Sequence, residues 1–406
     1  MTTPTPMHLP HALARAIIPI ALGLLVSCGG SDGTGTEPTG DLTGTVREAT
    51  RATPIADATV TAGNRQTTTA ADGSFELSDI PVGDVTLNVS APGYEPLEQA
   101  VSVQEGANQR DLQLSVKTFY EFGDFAAYIP PFVETLHGIV FVIGGFDRGS
   151  GDVVPGSPST PRFPALQSAL LTFAQAEDFA VLGEEVPRAS VSDGPDLVRP
   201  ALTALAGAVA HHPELQHAPV LLLGLSWGGC RAYEYTAAEG PRVIGFITMK
   251  GGCHPVSSQP LARLVPGYLF IGEDDTSARR ENLTTAFEVN RSSGALWALA
   301  VEQGAGHTVI GDIGLMFQWM GAVASLRLPE SVTPGQPVVL RTIDEAEGWL
   351  GNRVTFETCA FDCYVGDPDN AAWLPSSETA TRWAAFVSAS GGGGGGGGLS
   401  ARPAER

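Results

Sequence analysis

The chain of 406 residues contains only two lysines, Lys117 and Lys250, and its 23 Lys and Arg face 44 acidic residues, a formal net charge of −21. Phosphate contacts need clustered Lys and Arg, so this balance argues against a nucleic-acid partner. Past the first thirty positions there is no run of eighteen apolar residues, and no internal membrane span is expected. No dinucleotide fingerprint, phosphate loop or metal-ligand set appears, so neither a cofactor nor a metal is expected. What is abundant is apolar: hydrophobic residues make up 43% of the chain, enough for a folded protein, and the length allows two or three domains.

Arg15 is the only Lys or Arg before an apolar core, AIIPIALGLLVS, from Ala16 to Ser27. Residues 1–27 therefore read as a secretory signal. The core ends in Leu25-Val26-Ser27-Cys28-Gly29, which resembles the bacterial lipoprotein cleavage box. The resemblance implies that Cys28 is lipidated and anchors the mature chain to a membrane. Gly29, where retention signals usually carry Asp, implies the outer membrane. Residues 28–40, rich in Gly, Ser, Thr and Pro, read as a tether. Four cysteines then remain, an even number in an exported protein. The simplest pairing is Cys230–Cys253 and Cys359–Cys363. Metal binding is the runner-up, without a histidine pair at zinc spacing nearby.

From 41 to 116 short alternating strands dominate: FELSDI puts Phe75 and Leu77 on one face, VTLNV does so with Val85, Leu87 and Val89, and DLQLSV with Leu112, Leu114 and Val116. Asp72-Gly73, Pro81-Val82-Gly83 and Pro92-Gly93 mark turns, and the segment reads as a small all-β sandwich. Its phrasing, TGTVREATRATPIADATVTAG through SAPGYEP, resembles the carboxypeptidase regulatory-like domain, which implies an accessory module without catalysis.

From 117 to 329 apolar strands alternate with helical stretches. HGIVFVIGG (His137 to Gly145), Phe179 to Leu182, Val220–Leu223, RVIGFITM, GYLFIG and ALWALAV read as buried strands, and Val198, Leu202, Leu205 and Val209 form a helical stripe. This grammar predicts a mostly parallel sheet with helices on both faces. Residues 330–390 carry Trp349, Trp373 and Trp383 and read as a C-terminal extension packing on that domain, with a substrate-contacting lid as the alternative. In it VGDPDN (Val365 to Asn370) reads as a turn rather than a calcium loop. The glycine run in 391–406 reads as a disordered tail.

The pattern G-x-S-x-G occurs twice. Around Ser31 it lies in the tether, without strand or helix. Around Ser226 it follows the strand Val220–Leu223 and precedes the helical CRAYEYTAAEG, the context of a nucleophile elbow. A serine hydroxyl needs a base, and the base an orienting acid. Downstream, Glu273, Asp274 and Asp275 end one strand and His307 occupies a Gly-rich loop after the last, with His254 the rival base. Strand alternation lets only one of Asp274 and Asp275 face His307.

These residues resemble the α/β-hydrolase fold, in particular its polyhydroxyalkanoate depolymerase-like and feruloyl esterase-like branch, over about Phe119 to Ala324. The resemblance implies a Ser226–Asp275–His307 triad, the acid following a glycine in the spacing G-x-x-D. It implies oxyanion donors at the backbone N–H of Trp227 and of Phe146, with Gly145 second. It also implies a serine esterase that forms an acyl-enzyme on a small-molecule or polymeric ester. An amide-cleaving peptidase of the same fold and a non-catalytic binding lipoprotein are the other readings.

Overall fold

A computed structural model describes residues 37–144, 163–184, 194–333 and 335–389. The signal, Cys28 and the Gly-rich tail lie outside them. Among the described residues no helix is long and apolar enough to cross a membrane.

The first eight strands are β1 (Thr39–Glu48), β2 (Thr59–Ala62), β3 (Arg65–Thr68), β4 (Ser74–Pro81), β5 (Gly83–Ser90), β6 (Leu97–Val103), β7 (Gly106–Gln109) and β8 (Leu112–Leu114). They form two sheets: β4-β1-β7, with β8 also paired to β1, and β3-β2-β5-β6. Alternate residues such as Leu42 and Val46, Phe75 and Leu77, Leu87 and Val89, and Leu112 and Leu114 meet in one apolar core between them. Arg51 of this sandwich stacks on Phe132 of the following segment, 3.7 Å from the ring centre.

Eight further strands build the main sheet: β9 (Phe119–Phe122), β10 (Phe125–Tyr128), β11 (Gly138–Ile143), β12 (Phe179–Glu184), β13 (Val220–Leu225), β14 (Val243–Met249), β15 (Gly267–Gly272) and β16 (Trp297–Glu302). Their order across the sheet is β16-β15-β14-β13-β11-β12-β10-β9. The six from β16 to β12 are parallel, and β10 runs antiparallel to β12. The β9–β10 hairpin has no counterpart among the strands read from the sequence, because FYEF and FAAY are too short for a period. Both faces of the sheet are buried. In β11, Ile139, Phe141 and Ile143 enter one core, and Val140 and Val142 enter the other. The helices around it are α1 (Pro164–Glu177), α2 (Gly194–Ala208), α3 (Trp227–Glu239), the short α4 (Pro260–Arg263), α5 (Ser277–Arg291) and α6 (Ile313–Arg327).

The C-terminal segment adds a three-stranded sheet, with β17 (Trp349–Gly351) between β18 (Thr358–Ala360) and β19 (Ala372–Leu374), and the helix α7 (Ser377–Ser388). Trp373 and Trp383 are buried, and the Trp383 indole N–H donates to Leu299 O at 2.9 Å, fastening α7 to β16. Val365–Asn370 contains a turn in which Asp367 accepts the Asp369 N–H at 3.1 Å. Both cysteine pairs read from the sequence are joined, Cys230–Cys253 and Cys359–Cys363, each with Cα atoms 5.8 Å apart.

Candidate active site

The chain fills β11, then steps outward to β12, then returns to β13 on the other side of β11. In open α/β sheets the crevice at such a reversal, beyond the strand carboxyl ends, is where ligands bind. Ser226 stands there, between the end of β13 and the first residue of α3. Its φ of 64° and ψ of −116° lie outside the regions that a residue with a Cβ adopts freely, a strain of roughly 1–3 kcal/mol that the surrounding turn must hold. The turn is held by close backbone contacts. A Cβ on Gly224 would come within 2.2 Å of the Gly228 carbonyl, and one on Gly228 within 2.2 Å of Ile143 O. The Ser226 N–H donates to Met249 O at 2.8 Å, tying the elbow to the end of β14.

Because Ser226 precedes α3, the Trp227 N–H belongs to the first turn of a helix. Such amides have no carbonyl partner within the helix and carry the positive end of its dipole. The Trp227 side chain is 62% exposed beside the serine. Phe146 and Gly145, read from the sequence as the other oxyanion donor, lie outside the described residues.

Asp275 follows β15 and His307 follows β16, two neighbouring parallel strands, so both loops emerge at the same edge of the sheet. His307 Nδ1 is 2.8 Å from Asp275 Oδ2. The other carboxylate oxygen, Oδ1, accepts the Thr276 N–H at 2.7 Å and Arg279 Nη1 at 3.1 Å. Burial pushes the Asp275 carboxyl up, but the hydrogen bonds from His307, Thr276 and Arg279 outweigh it and hold the group below its ordinary value. Asp274 is exposed, and its N–H donates to Ala305 O at 2.9 Å. Of the two adjacent carboxylates, therefore, it is Asp275 that meets the histidine.

The rival base His254 is elsewhere. It is buried against Tyr233, with ring centres 5.0 Å apart, and burial pushes its imidazole down to about 4. Among the described residues no hydrogen bond joins Ser226 Oγ to His307. The Cys230–Cys253 bridge clamps the first turn of α3 to the loop after β14, beside the elbow. No group of three or more His, Cys, Asp or Glu that could hold a metal ion occurs among the described residues.

Two polar partners of the site were not among the residues singled out from sequence. Arg279 reaches Asp275 at i+4 spacing along the start of α5, a signal visible in DDTSARR. Lys250, fully buried, donates to Glu302 at 2.7 Å, and nothing in MKGG marks a lysine as buried.

Comparison with known proteins identifies the sandwich. Residues 41–117 match the family model described as the carboxypeptidase regulatory-like domain. No curated protein matches the chain. Among solved structures, the Bacillus anthracis TIE protein aligns over 20% of this chain, with 18% identity and a TM-score of 0.18, and the chain spans only 17% of that protein's length. A structure titled as a thermostable esterase aligns over 69% of this chain and 93% of its own, with 12% identity and a TM-score of 0.35. TT1662 from Thermus thermophilus aligns over 50% of this chain and 97% of its own, at 20% identity and a TM-score of 0.33. At such scores and identities a likeness does not transfer chemistry.

Proposed function

We propose that the main domain is a serine hydrolase of α/β-hydrolase type that cleaves carboxylic esters, carried on a lipid-anchored envelope protein. The observation that supports it is the strained Ser226, held at φ 64° on the strand–helix turn at the sheet's reversal, in a domain where Asp275 and His307 form a 2.8 Å pair. Holding a serine in that backbone conformation costs stability without improving packing, as expected where a hydroxyl must project from the sheet.

In the proposed cycle His307 Nε2 takes the Ser226 proton as Oγ attacks the ester carbonyl. Asp275 holds Nδ1–H and stabilises the imidazolium that results. The Trp227 N–H, with Phe146 as the second donor, stabilises the oxyanion. Collapse of the tetrahedral intermediate expels the alcohol, which takes the proton from His307. Water, activated by the same histidine, then releases the acid and restores Ser226. No metal or cofactor enters. The sandwich serves as a spacer or accessory module, and Cys28 is the lipidated anchor at the outer membrane.

The test is labelling of the detergent-solubilised full chain with a fluorophosphonate probe, beside Ser226→Ala and His307→Ala. Labelling of the wild type, lost in both variants, is the expected result, followed by turnover of p-nitrophenyl and aryl esters. A folded wild type that does not label refutes the reading.

A further inference from the structure

We infer that Lys250 and Glu302 are a positioning pair that sets the reach between Ser226 and His307; the inference rests on the esterase reading above. Lys250 directly follows Met249, the residue whose carbonyl receives the Ser226 N–H. Its own N–H donates to Phe270 O at 2.8 Å, and its backbone is left-handed, at φ 53°. The side chain is fully buried, and its ammonium contacts the end of β16 and the histidine loop. There Nζ lies 2.7 Å from Glu302 Oε2 and 3.4 Å from Thr308 Oγ1, the neighbour of His307.

Glu302 completes the link. It ends β16, and its second oxygen accepts the Gly311 N–H at 2.7 Å, closing the whole loop that carries His307. One continuous chain of contacts thus runs from the Ser226 amide, through Met249 and Lys250, to Glu302 and both flanks of the histidine. The Asp275 contact orients the imidazole ring. The lysine link fixes where the loop bearing that ring stands relative to the nucleophile.

Stability does not account for the pair. A buried ion pair is commonly no better, and often worse, than apolar residues of the same volume. One of only two lysines in the chain occupies this position, in a backbone conformation that a side chain disfavours. A geometric role at the site explains both features.

The test compares full-length wild type with the paired variant Lys250→Met/Glu302→Gln, which removes both charges and keeps volume. The rate of fluorophosphonate labelling, kcat and KM on a p-nitrophenyl ester, and the melting temperature are measured together. The expected result is a fall of about tenfold or more in labelling rate and kcat, with KM changed by less than about twofold and melting at or above wild type. A merely structural pair would move melting and leave kcat alone. A folded paired variant that labels at half the wild-type rate or faster overturns the proposal. Should that variant not fold, Thr308→Val decides: its residue is exposed, and the expected fall in kcat is about threefold with KM unchanged, whereas an unchanged kcat overturns the proposal. An unreactive wild type refutes the esterase reading itself and takes this inference with it.

Discussion

Replacing Asp275 by asparagine separates the two neighbouring carboxylates and probes the histidine's protonation at once. Asp275 accepts on both oxygens: His307 Nδ1 on one, Thr276 N–H and Arg279 on the other. Asparagine has one acceptor oxygen and one donor nitrogen. With two donors on the Thr276 side against one on the His307 side, the amide oxygen turns to Thr276 and Arg279, and its NH₂ faces the imidazole. Nδ1 must then accept, which places the ring proton on Nε2, where it blocks proton transfer from Ser226. A wrong tautomer of this kind costs about 10³–10⁴ in kcat, or about 4–5.5 kcal/mol of transition-state stabilisation. Asp274→Asn removes only an exposed charge and is expected to stay within about twofold of wild type. Labelling rate and kcat/KM on a p-nitrophenyl ester, both at pH 7, read the difference. The reasoning fails if folded Asp275→Asn keeps more than about a tenth of wild-type activity, or if Asp274→Asn falls as far.

Three further outcomes are expected. Removing Cys230–Cys253, with a sequence separation of 23, costs about 3.4 kcal/mol on the chain-entropy relation, against about 2 kcal/mol for Cys359–Cys363 with a separation of 4; chemical denaturation of the two double-alanine variants should rank them in that order. Acid should weaken the fold through Asp275 and Asp312. In both, burial raises the carboxyl, but hydrogen bonds, from His307 and from Arg382 respectively, outweigh it and lower the group below its ordinary 3.8. Their stabilisation is complete above that value and disappears as pH falls through the lower folded-state value. His254, held down at about 4 by burial, adds a loss that begins as pH falls through its ordinary 6.5, so melting temperature should start to decline below about pH 6.5 and fall further below about pH 4. Trp383→Ala, which empties a fully buried site and orphans Leu299 O, should cost about 3–5 kcal/mol by thermal unfolding.

Much of this was legible in sequence because buried parallel strands leave continuous apolar runs. VLLLGL and GIVFVI could hardly be read otherwise, and the strand before Ser226 separated its motif from the copy at Ser31. The choice between Asp274 and Asp275 was not legible from alternation alone, since both end the same strand and the loop beyond it decides which side chain turns back. Arg279 and Lys250 were missed for a different reason: a charged residue usually lies on a solvated face, and only the folded loops reveal an interior partner. The strands of the C-terminal sheet are three residues each, too short for a period to emerge.

Arg291 decides how the C-terminal segment behaves. The residue is fully buried at the end of α5 and donates from Nε to Ala371 O at 2.8 Å and from Nη2 to Pro368 O at 2.8 Å, with Glu345 as its ion-pair partner. These three acceptors lie beyond residue 340, while Nη1 donates to the nearby Ala295 O at 3.0 Å. A chain cut at 329 would keep only the Ala295 contact and strip the guanidinium of its ion-pair partner and two carbonyls, a heavy cost for a charge buried in the intact fold. The C-terminal segment is therefore expected to unfold together with the main domain rather than as a detachable appendix. The sandwich, closed around its own apolar interior, is the part of the molecule that should be separable by proteolysis, so limited digestion should yield two resistant fragments, never three.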